Sequence, residues 1–267
     1  MSAVIREADG MDEIRSITAL MAEVWGEAFL DAGICRAIQH AGGYLAGSWE
    51  GDRLVGGSLA FLGRHRTGDD GEVLLHSHAT CTAPGRNSQG LGLALKWHQR
   101  RWCLDRGITT VEWTYDPLVA RNGWFNLTKL GARGVAYEID FYGRMTTAIE
   151  RGEESDRCLV RWALTDPRVE AAASGDLTPL DVDAARTAGV PVLLEVDADG
   201  GPVVGDEARA GPALAQVHPD IEGLRLEDPD TAARWRRALR ATLGRAMQDG
   251  RHLTAAGRDG WYLLEGA

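Results

Sequence analysis

The fold is decided by the stretch VLLHSHATCTAPGRNSQGLGLALKWHQRRWCLDRG, residues 73–107. Its first part, Val73–Thr82, is rich in apolar and β-branched residues and predicts a strand. A glycine-bearing turn follows, and residues 90–106 have the pattern of a helix that Gly107 can end. The stretch therefore predicts a strand that leads through a short turn directly into a helix.

The turn between this strand and helix predicts a site for a phosphate group. The first N–H groups of a helix are unpaired and carry a partial positive charge. Gly90 and Gly92 have no side chains that would keep an anion away from those donors. The P-loop pattern GxxxxGK[ST] is absent, because Leu91 stands where lysine would, and GxGxxG is absent because Ala94 and Leu95 follow Gly92. A plain tight connection is the alternative interpretation.

Motifs downstream of the turn extend the pattern. The segment Asn-Ser-Gln-Gly-Leu-Gly at 87–92 follows a strand ending at Ala83-Pro84, and TTVEWTYDP, ARNGWFNLTKLGA and FYG come after it. Together these motifs resemble the GNAT acyltransferase superfamily, whose acetyl-CoA signature is [RQ]-x-x-G-x-[GA]. More narrowly, they resemble a group of acetyltransferases associated with N-acylamino-acid racemases. The resemblance is good over residues 70–165 and loose beyond them.

The resemblance implies transfer of an acyl group from acetyl-CoA or succinyl-CoA, as co-substrate, to an amine, with no metal. Two positions depart from the superfamily pattern: Asn87 stands in place of arginine or glutamine, and Leu127 stands where many members have a tyrosine acid. The implied CoA-binding residues are Thr82, Ala83, Asn87, Ser88, Gln89, Gly90, Leu91, Gly92, Asn122 and Phe125.

Catalytic candidates follow from the chemistry of amide formation, because an amine must lose a proton as it attacks a thioester. His76 and His78 lie two residues apart on one face of the strand, and histidine titrates near neutral pH. We predict His78 as the base, with Glu112 as the second choice. Tyr115 or a water would replace the missing tyrosine. The predicted substrate-contacting residues are His76, Asp116 and Trp124.

The same residues have plainer interpretations. The two histidines are also what a half-buried strand can carry, and as a metal pair they lack a visible third ligand. Glu112 is equally a surface or ion-paired strand residue. Asp116-Pro117 is a typical helix-initiating turn.

The whole chain predicts a mixed α/β fold. We expect a GNAT-like acyl-CoA-binding domain at 1–165, with a twisted, mainly antiparallel sheet flanked by helices. Residues 166–267 are expected to form an α/β extension packed on, or completing, the first domain. The stretch 166–191 reads as a linker with at most one short helix. In the helix predicted at 230–248, four arginines form a solvated face or, alternatively, an anion site: Arg234, Arg236, Arg237 and Arg240.

Composition excludes several classes of protein. With 29 basic and 39 acidic residues the net charge is −10, which argues against a general nucleic-acid binder. No run approaches the roughly 20 apolar residues of a membrane helix, and the acidic N-terminus does not resemble a signal peptide. Four widely spaced cysteines favour reduced thiols in a cytoplasm. Lys96 and Lys129 are the only lysines among the basic residues, which makes both candidates for a role.

We therefore expect a cytoplasmic CoA-dependent N-acyltransferase, monomeric or homodimeric, that acts on a small-molecule amine such as an amino acid. Two alternatives remain open at this point. One is a CoA-binding sensor that has lost catalysis, motivated by Asn87 and Leu127. The other is an N-acetyltransferase of proteins or peptides, towards which an acidic surface would steer basic substrates.

Overall fold

The computed structural model describes residues 3–26, 30–64, 71–86, 90–143, 154–205 and 211–266. These residues form two compact units. The first unit holds the described residues of Met1–Trp113 and Ala163–Thr165, and the second holds those of 114–146, 150–162 and 166–267. The division between Trp113 and Thr114 falls inside the predicted 1–165 domain, so the functional boundary at residue 165 stays a prediction.

The first unit is a sheet in the order β1-β2-β3-β4-β5, antiparallel except for the parallel pair β4 and β5. The last two residues of β5 belong to the second unit. The elements are β1 (Val4–Glu7), α1 (Gly10–Trp25), α2 (Ala32–His40), β2 (Tyr44–Glu50), β3 (Arg53–Arg64), β4 (Val73–Thr82), α3 (Leu91–Leu104) and β5 (Thr110–Tyr115).

Helices pack on both faces of this sheet because β3 carries two adjacent glycines. A Cβ on Gly56 would lie 3.1 Å from Leu95 of α3, and one on Gly57 would lie 3.0 Å from Ile17 of α1. Neighbouring strand residues point to opposite faces. The glycine pair thus lets one helix approach closely on each side. On the α1 side, Ile17 belongs to a core shared with α2 and strands β2 to β4.

The second unit is a sheet in the order β7-β6-β11-β12-β10-β8-β9, with β8 and β10 parallel and its other described pairs antiparallel. Trp162 and Trp235 are fully buried in it. Its helices are α4 (Ala120–Gly123), α5 (Pro167–Ser174), α6 (Val182–Thr187), α7 (Ile221–Glu227), α8 (Pro229–Leu239) and α9 (Arg245–Gln248). Its strands are β6 (Arg133–Glu138), β7 (Arg157–Ala163), β8 (Val192–Val196), β9 (Pro202–Val204), β10 (Ala213–Gln216), β11 (Arg251–Ala256) and β12 (Trp261–Gly266).

Two helices of the second unit contain π-helical turns. Trp124–Lys129 continues α4, and Arg240–Gly244 joins α8 to α9. Such turns are rare and are frequent at functional sites. The sequence pattern predicted the helix at 230–248 but not its π-turn, because no residue type marks the extra residue of such a turn.

The mixed α/β class with mainly antiparallel sheet is confirmed, and β4 begins and ends where it was predicted. The prediction of at most one short helix at 166–191 is wrong. Two helices form there, α5 and α6, and each begins with an aspartate side chain that accepts a hydrogen bond from the first turn: Asp166 and Asp181. Four further elements were not predicted: β1, β9, α7 and β11.

All four cysteines are free and buried, as expected for reduced thiols. Within the described residues, each helix is too short or too polar to cross a membrane.

Candidate active site

The candidate site of the first unit is the place where β4 and β5 stop pairing. The parallel ladder consists of Leu75 opposite Val111 and His76 opposite Glu112, and no further pair joins these strands in the described chain. β4 itself continues to Thr82. We call this place the β4–β5 fork. Its first residues beyond the ladder are Ser77 on β4 and Trp113 on β5.

His78 lies at a β-bulge beside the fork. On the other side of β4, Leu59 pairs with Ala79 and Ala60 pairs with Ser77, so His78 is the extra residue in the register. A bulge bends the strand and changes the direction of its side chain, and bulges are common next to active sites. The predicted base therefore occupies the irregular position of the strand.

His76, His78 and Phe61 of β3 form an aromatic cluster. Ring centroids of Phe61 lie 4.8 Å from His76 in a stacked arrangement and 5.7 Å from His78. Burial, together with the nearby His78, lowers the pKa of His76 to about 4, although Glu112 acts in the opposite direction. Burial also lowers the pKa of His78. Both imidazoles are therefore neutral at pH 7 and able to accept a proton.

Glu112 is buried, 8% exposed, and lies directly across the ladder from His76. The surface interpretation of this residue is therefore wrong. The two catalytic candidates His78 and Glu112 and the substrate candidate His76 are thus brought to the same fork.

Lys96 of α3 lies buried beneath the fork and is 4% exposed. Its Nζ donates to Ser77 Oγ at 2.8 Å and to Gln99 Oε1 at 3.2 Å, and lies 3.7 Å from the ring centroid of Trp113. Desolvation by burial lowers its pKa to about 7. The lysine scarcity pointed to this residue, whereas no sequence signal singled out Ser77 or Phe61.

The N-terminus of α3 fits the predicted diphosphate site. Gly90 caps the helix at φ +78°, and a Cβ on Gly90 or on Gly92 would meet open space within 4 Å. The first turn, which begins at Leu91, contains no acidic residue, and no side chain caps it within the described chain. An anion would therefore find accessible N–H donors and no competing carboxylate there.

The segment leading to this helix is only partly described, since Asn87, Ser88 and Gln89 lie outside the described residues. Ala83 donates its N–H to Val55 at 3.0 Å and accepts from the N–H of Arg86 at 3.0 Å. Its contact with CoA stays a prediction. Thr82 ends β4 opposite Gly56 and is half-buried.

Asp116, a predicted substrate residue, has structural partners instead. In the second unit its Oδ1 accepts from Arg236 at 2.8 Å, and its Oδ2 accepts from Arg225 at 2.6 Å and from Arg236 at 2.8 Å. All three side chains are buried. Leu118 N–H donates to Oδ1 at 3.0 Å, which confirms the helix-initiating turn. The prediction of a solvated arginine face is therefore wrong for Arg236.

Tyr115 is buried in the second unit against Tyr262 and Cys158. Burial, followed by these neighbours, raises the pKa of its phenol well above the ordinary value. A buried phenol with a raised pKa is a poor proton donor at neutral pH. The geometry therefore disfavours the predicted role of Tyr115 as the acid.

The remaining candidates lie around the π-helical turn of the second unit. Asn122, Trp124 and Phe125 are half-buried, and Leu127 is fully buried. The Trp124 ring faces two cations, Lys129 at 5.3 Å and Arg258 at 4.2 Å. Their roles in binding CoA or substrate stay predictions. Among the described residues, no three metal-ligating side chains are grouped to hold an ion.

Known structures give an independent comparison. The chain is similar to yncA of Salmonella typhimurium, assigned as an acetyltransferase and solved with acetyl-CoA, with 17% identity, 62% of this chain and 96% of that chain covered, and a TM-score of 0.50. It is also similar to a GNAT superfamily phosphinothricin acetyltransferase from Sinorhizobium meliloti, solved with acetyl-CoA, with 17% identity, coverage of 60% and 88%, and a TM-score of 0.49.

No protein-family model matches the sequence, and no curated protein matches it. At 17% identity, the match to yncA concerns the fold alone. The chain thus has the acetyltransferase fold that the sequence resemblance to the GNAT superfamily implies.

Proposed function

We propose that this protein is a CoA-dependent N-acyltransferase of the cytoplasm. It transfers an acetyl or succinyl group to the amine of a small metabolite such as an amino acid, in the manner of the racemase-associated group that its motifs resemble. The observation that carries the proposal is the β4–β5 fork, where neutral histidines and a buried carboxylate meet in a chain with an acetyltransferase fold.

The α3 N-terminus supports acyl-CoA as the co-substrate. Its open glycines and uncapped first turn suit a diphosphate. The acyl group would then be presented to an acceptor amine. The nitrogen attacks the thioester carbon, a tetrahedral oxyanion forms, and its collapse breaks the C–S bond and releases CoA.

His78 is the best-placed base for this reaction. It lies on the bulge, whereas His76 is stacked on Phe61 and its pKa of about 4 makes it the weaker proton acceptor. His78 takes the proton that the nitrogen loses as the N–C bond forms. Glu112, which lies across the ladder from His76, is the alternative base.

The test is release of CoA thiol with acetyl-CoA or succinyl-CoA and a panel of free amines. His78→Ala should lower kcat about 100-fold or more, since a general base contributes that order of rate. His40→Ala, an exposed histidine at the end of α2, is the matched control and should leave kcat unchanged. Because the pKa of His78 is lowered, wild-type kcat should fall on acidification only below about pH 6.5.

Three outcomes would contradict the proposal. No thiol release by folded protein with either donor would exclude the transferase. Tight CoA binding without turnover would favour the sensor. Acylation confined to peptides would replace the small-molecule acceptor with a protein or peptide.

A further inference from the structure

Lys96 is a buried lysine of α3 that lies at the fork. Its described hydrogen bonds go to a serine hydroxyl and a glutamine amide, and its third neighbour is the face of an indole ring. Burying an ammonium group costs free energy that burying an apolar side chain of similar length does not. Its place at the fork makes this buried lysine a candidate for a role in the chemistry.

Two of its neighbours place Lys96 at the centre of the site. Ser77 directly follows His76, and Trp113 directly follows Glu112, so both are the first residues beyond the two-pair ladder. Lys96 thus joins the two strands where they stop pairing. The proposed acyl transfer occurs at this same fork.

The proposed reaction still needs a proton donor for the departing thiolate. Leu127 occupies the place of the tyrosine that many members of the resembled superfamily have, and it is buried and cannot donate. Tyr115 is buried and has a raised pKa. A hydroxyl can accept one hydrogen bond and donate another at the same time. Ser77, which accepts from Lys96, is therefore able to pass a proton on.

We propose that Ser77 and Lys96 together supply the proton that the CoA thiolate receives. This inference rests on the proposed function. As the C–S bond breaks, its electron pair goes to sulfur and Ser77 donates its hydroxyl proton there. The Lys96 ammonium returns a proton to Ser77 Oγ and becomes neutral. The proton that His78 took from the amine balances this loss when both groups exchange with solvent. Ser77 is the catalytic residue, and Lys96 is a positioning residue that acts through it.

Proton transfer near neutral pH is compatible with the surroundings of Lys96. Because its pKa is about 7, the ammonium group of Lys96 can donate a proton readily at that pH. The titratable groups around it are His76 of β4, Cys103 of α3 and, beside His76, Glu112 of β5. His76 is neutral at pH 7, and burial raises the pKa of Cys103 to about 12, so neither changes charge in this range.

The test compares Lys96→Met and Ser77→Ala with two matched controls. Arg101→Met removes an exposed cation from the same helix. Ser58→Ala removes another buried β-strand serine hydroxyl, which bonds to Thr80. For each variant we would measure kcat and KM with acetyl-CoA from pH 6 to 9, acetyl-CoA affinity by calorimetry, and Tm.

We expect kcat to fall about 100-fold in both variants while the acetyl-CoA Kd stays within about twofold, as for loss of a general acid. Wild-type kcat should decline above about pH 7 as Lys96 loses its proton, and this basic limb should be absent in Lys96→Met. The double variant should be no slower than either single variant, because the two residues act as one unit.

An active wild type with an unchanged kcat and pH profile in Lys96→Met would overturn this inference alone. Losses that multiply in the double variant would also overturn it, since they would mean independent roles. A wild type that releases no thiol with any donor would overturn the proposed function, and this inference with it. Ser77→Ala keeps the test decisive if Lys96→Met fails to fold.

Discussion

Lys96 and Asp116 are both buried charged residues, one in each compact unit, and they are held in opposite ways. Asp116 receives four hydrogen bonds, three of them from the guanidinium groups of Arg225 and Arg236. Lys96 donates to the uncharged Ser77 and Gln99. The first arrangement pairs a buried carboxylate with guanidinium groups, whereas the described hydrogen bonds of the second go to a hydroxyl and an amide.

The pKa values reflect this contrast. Burial alone would raise the pKa of Asp116, but the charges and hydrogen bonds of Arg236 and Arg225 outweigh it and hold the pKa below its ordinary value. For Lys96 desolvation prevails, and the pKa falls to about 7. A paired buried charge thus stays ionised and stabilises structure, whereas Lys96 changes its protonation near neutral pH. That difference is why we place chemistry at Lys96 and not at Asp116.

The largest expected effect is on stability in the second unit. Asp116→Asn removes the charge that two buried arginines share and should lower the free energy of unfolding by about 3 kcal/mol or more. Chemical denaturation at pH 7 measures this. Asp249→Ala, which breaks an exposed ion pair with Arg245, is the control and should change stability by less than about 0.5 kcal/mol.

Lowering the pH should reduce the difference in the free energy of unfolding between the wild type and Asp116→Asn. A carboxylate with a lowered folded pKa stabilises the protein above its unfolded pKa of about 4, and this contribution is lost as the pH falls further. Equal stability of the two proteins at pH 7 would show that the charge of Asp116 does not stabilise the fold. The contrast between Asp116 and Lys96 would then be wrong.

The next largest expected effect is on acetyl-CoA affinity, when a negative charge is placed at the N-terminus of α3. Gly92→Asp adds an acid beside the proposed diphosphate site and should weaken acetyl-CoA binding about tenfold or more relative to Gly92→Asn, which has the same shape. The same acid should stabilise the helix N-terminus by about 0.3–1 kcal/mol. Calorimetry and thermal melts measure the two effects. Equal acetyl-CoA affinities of the two variants would show that the diphosphate does not bind at this site.

The smallest expected effect concerns the stability of Lys96→Met. Since the folded pKa of Lys96 lies below that of the unfolded chain, the cost of burying its charge is fully present below about pH 7 and fades as the pH rises towards about 10.5. The variant should be more stable than wild type by about 1 kcal/mol at pH 6.5. This advantage should shrink by pH 10. A pH-independent difference for Lys96→Met would contradict the lowered pKa.

The sequence predicted those features that depend on a local pattern of residues. Strand β4 and helix α3 lie where apolar spacing and glycines indicated, and the histidine pair and Glu112 do meet at one fork. The β-bulge at His78 was not predictable, because it depends on the register with β3. The bulge adds one residue to β4 without interrupting its strand pattern.

Long-range partners account for the other differences. Asp116 was predicted to contact substrate because it lies just beyond the strand that carries Glu112, but the arginines that bind it come more than 100 residues later in the sequence. Arg236 was predicted to lie on a solvated helix face or in an anion site, and its buried partner Asp116 is equally distant in sequence. The scarcity of lysine did point to Lys96, but only the fold shows that its neighbours are Ser77 and Trp113.

In the proposed reaction the fork joins an acyl group to an amine as the C–S bond of the thioester breaks. The most direct measurement counts CoA thiol released against N-acylated product, by mass spectrometry, with acetyl-CoA or succinyl-CoA and a panel of free amines. We predict one thiol for each N-acylated amine, with both lost together in His78→Ala. Thiol release without an N-acylated product, or acetyl-CoA binding without thiol release, would contradict the account.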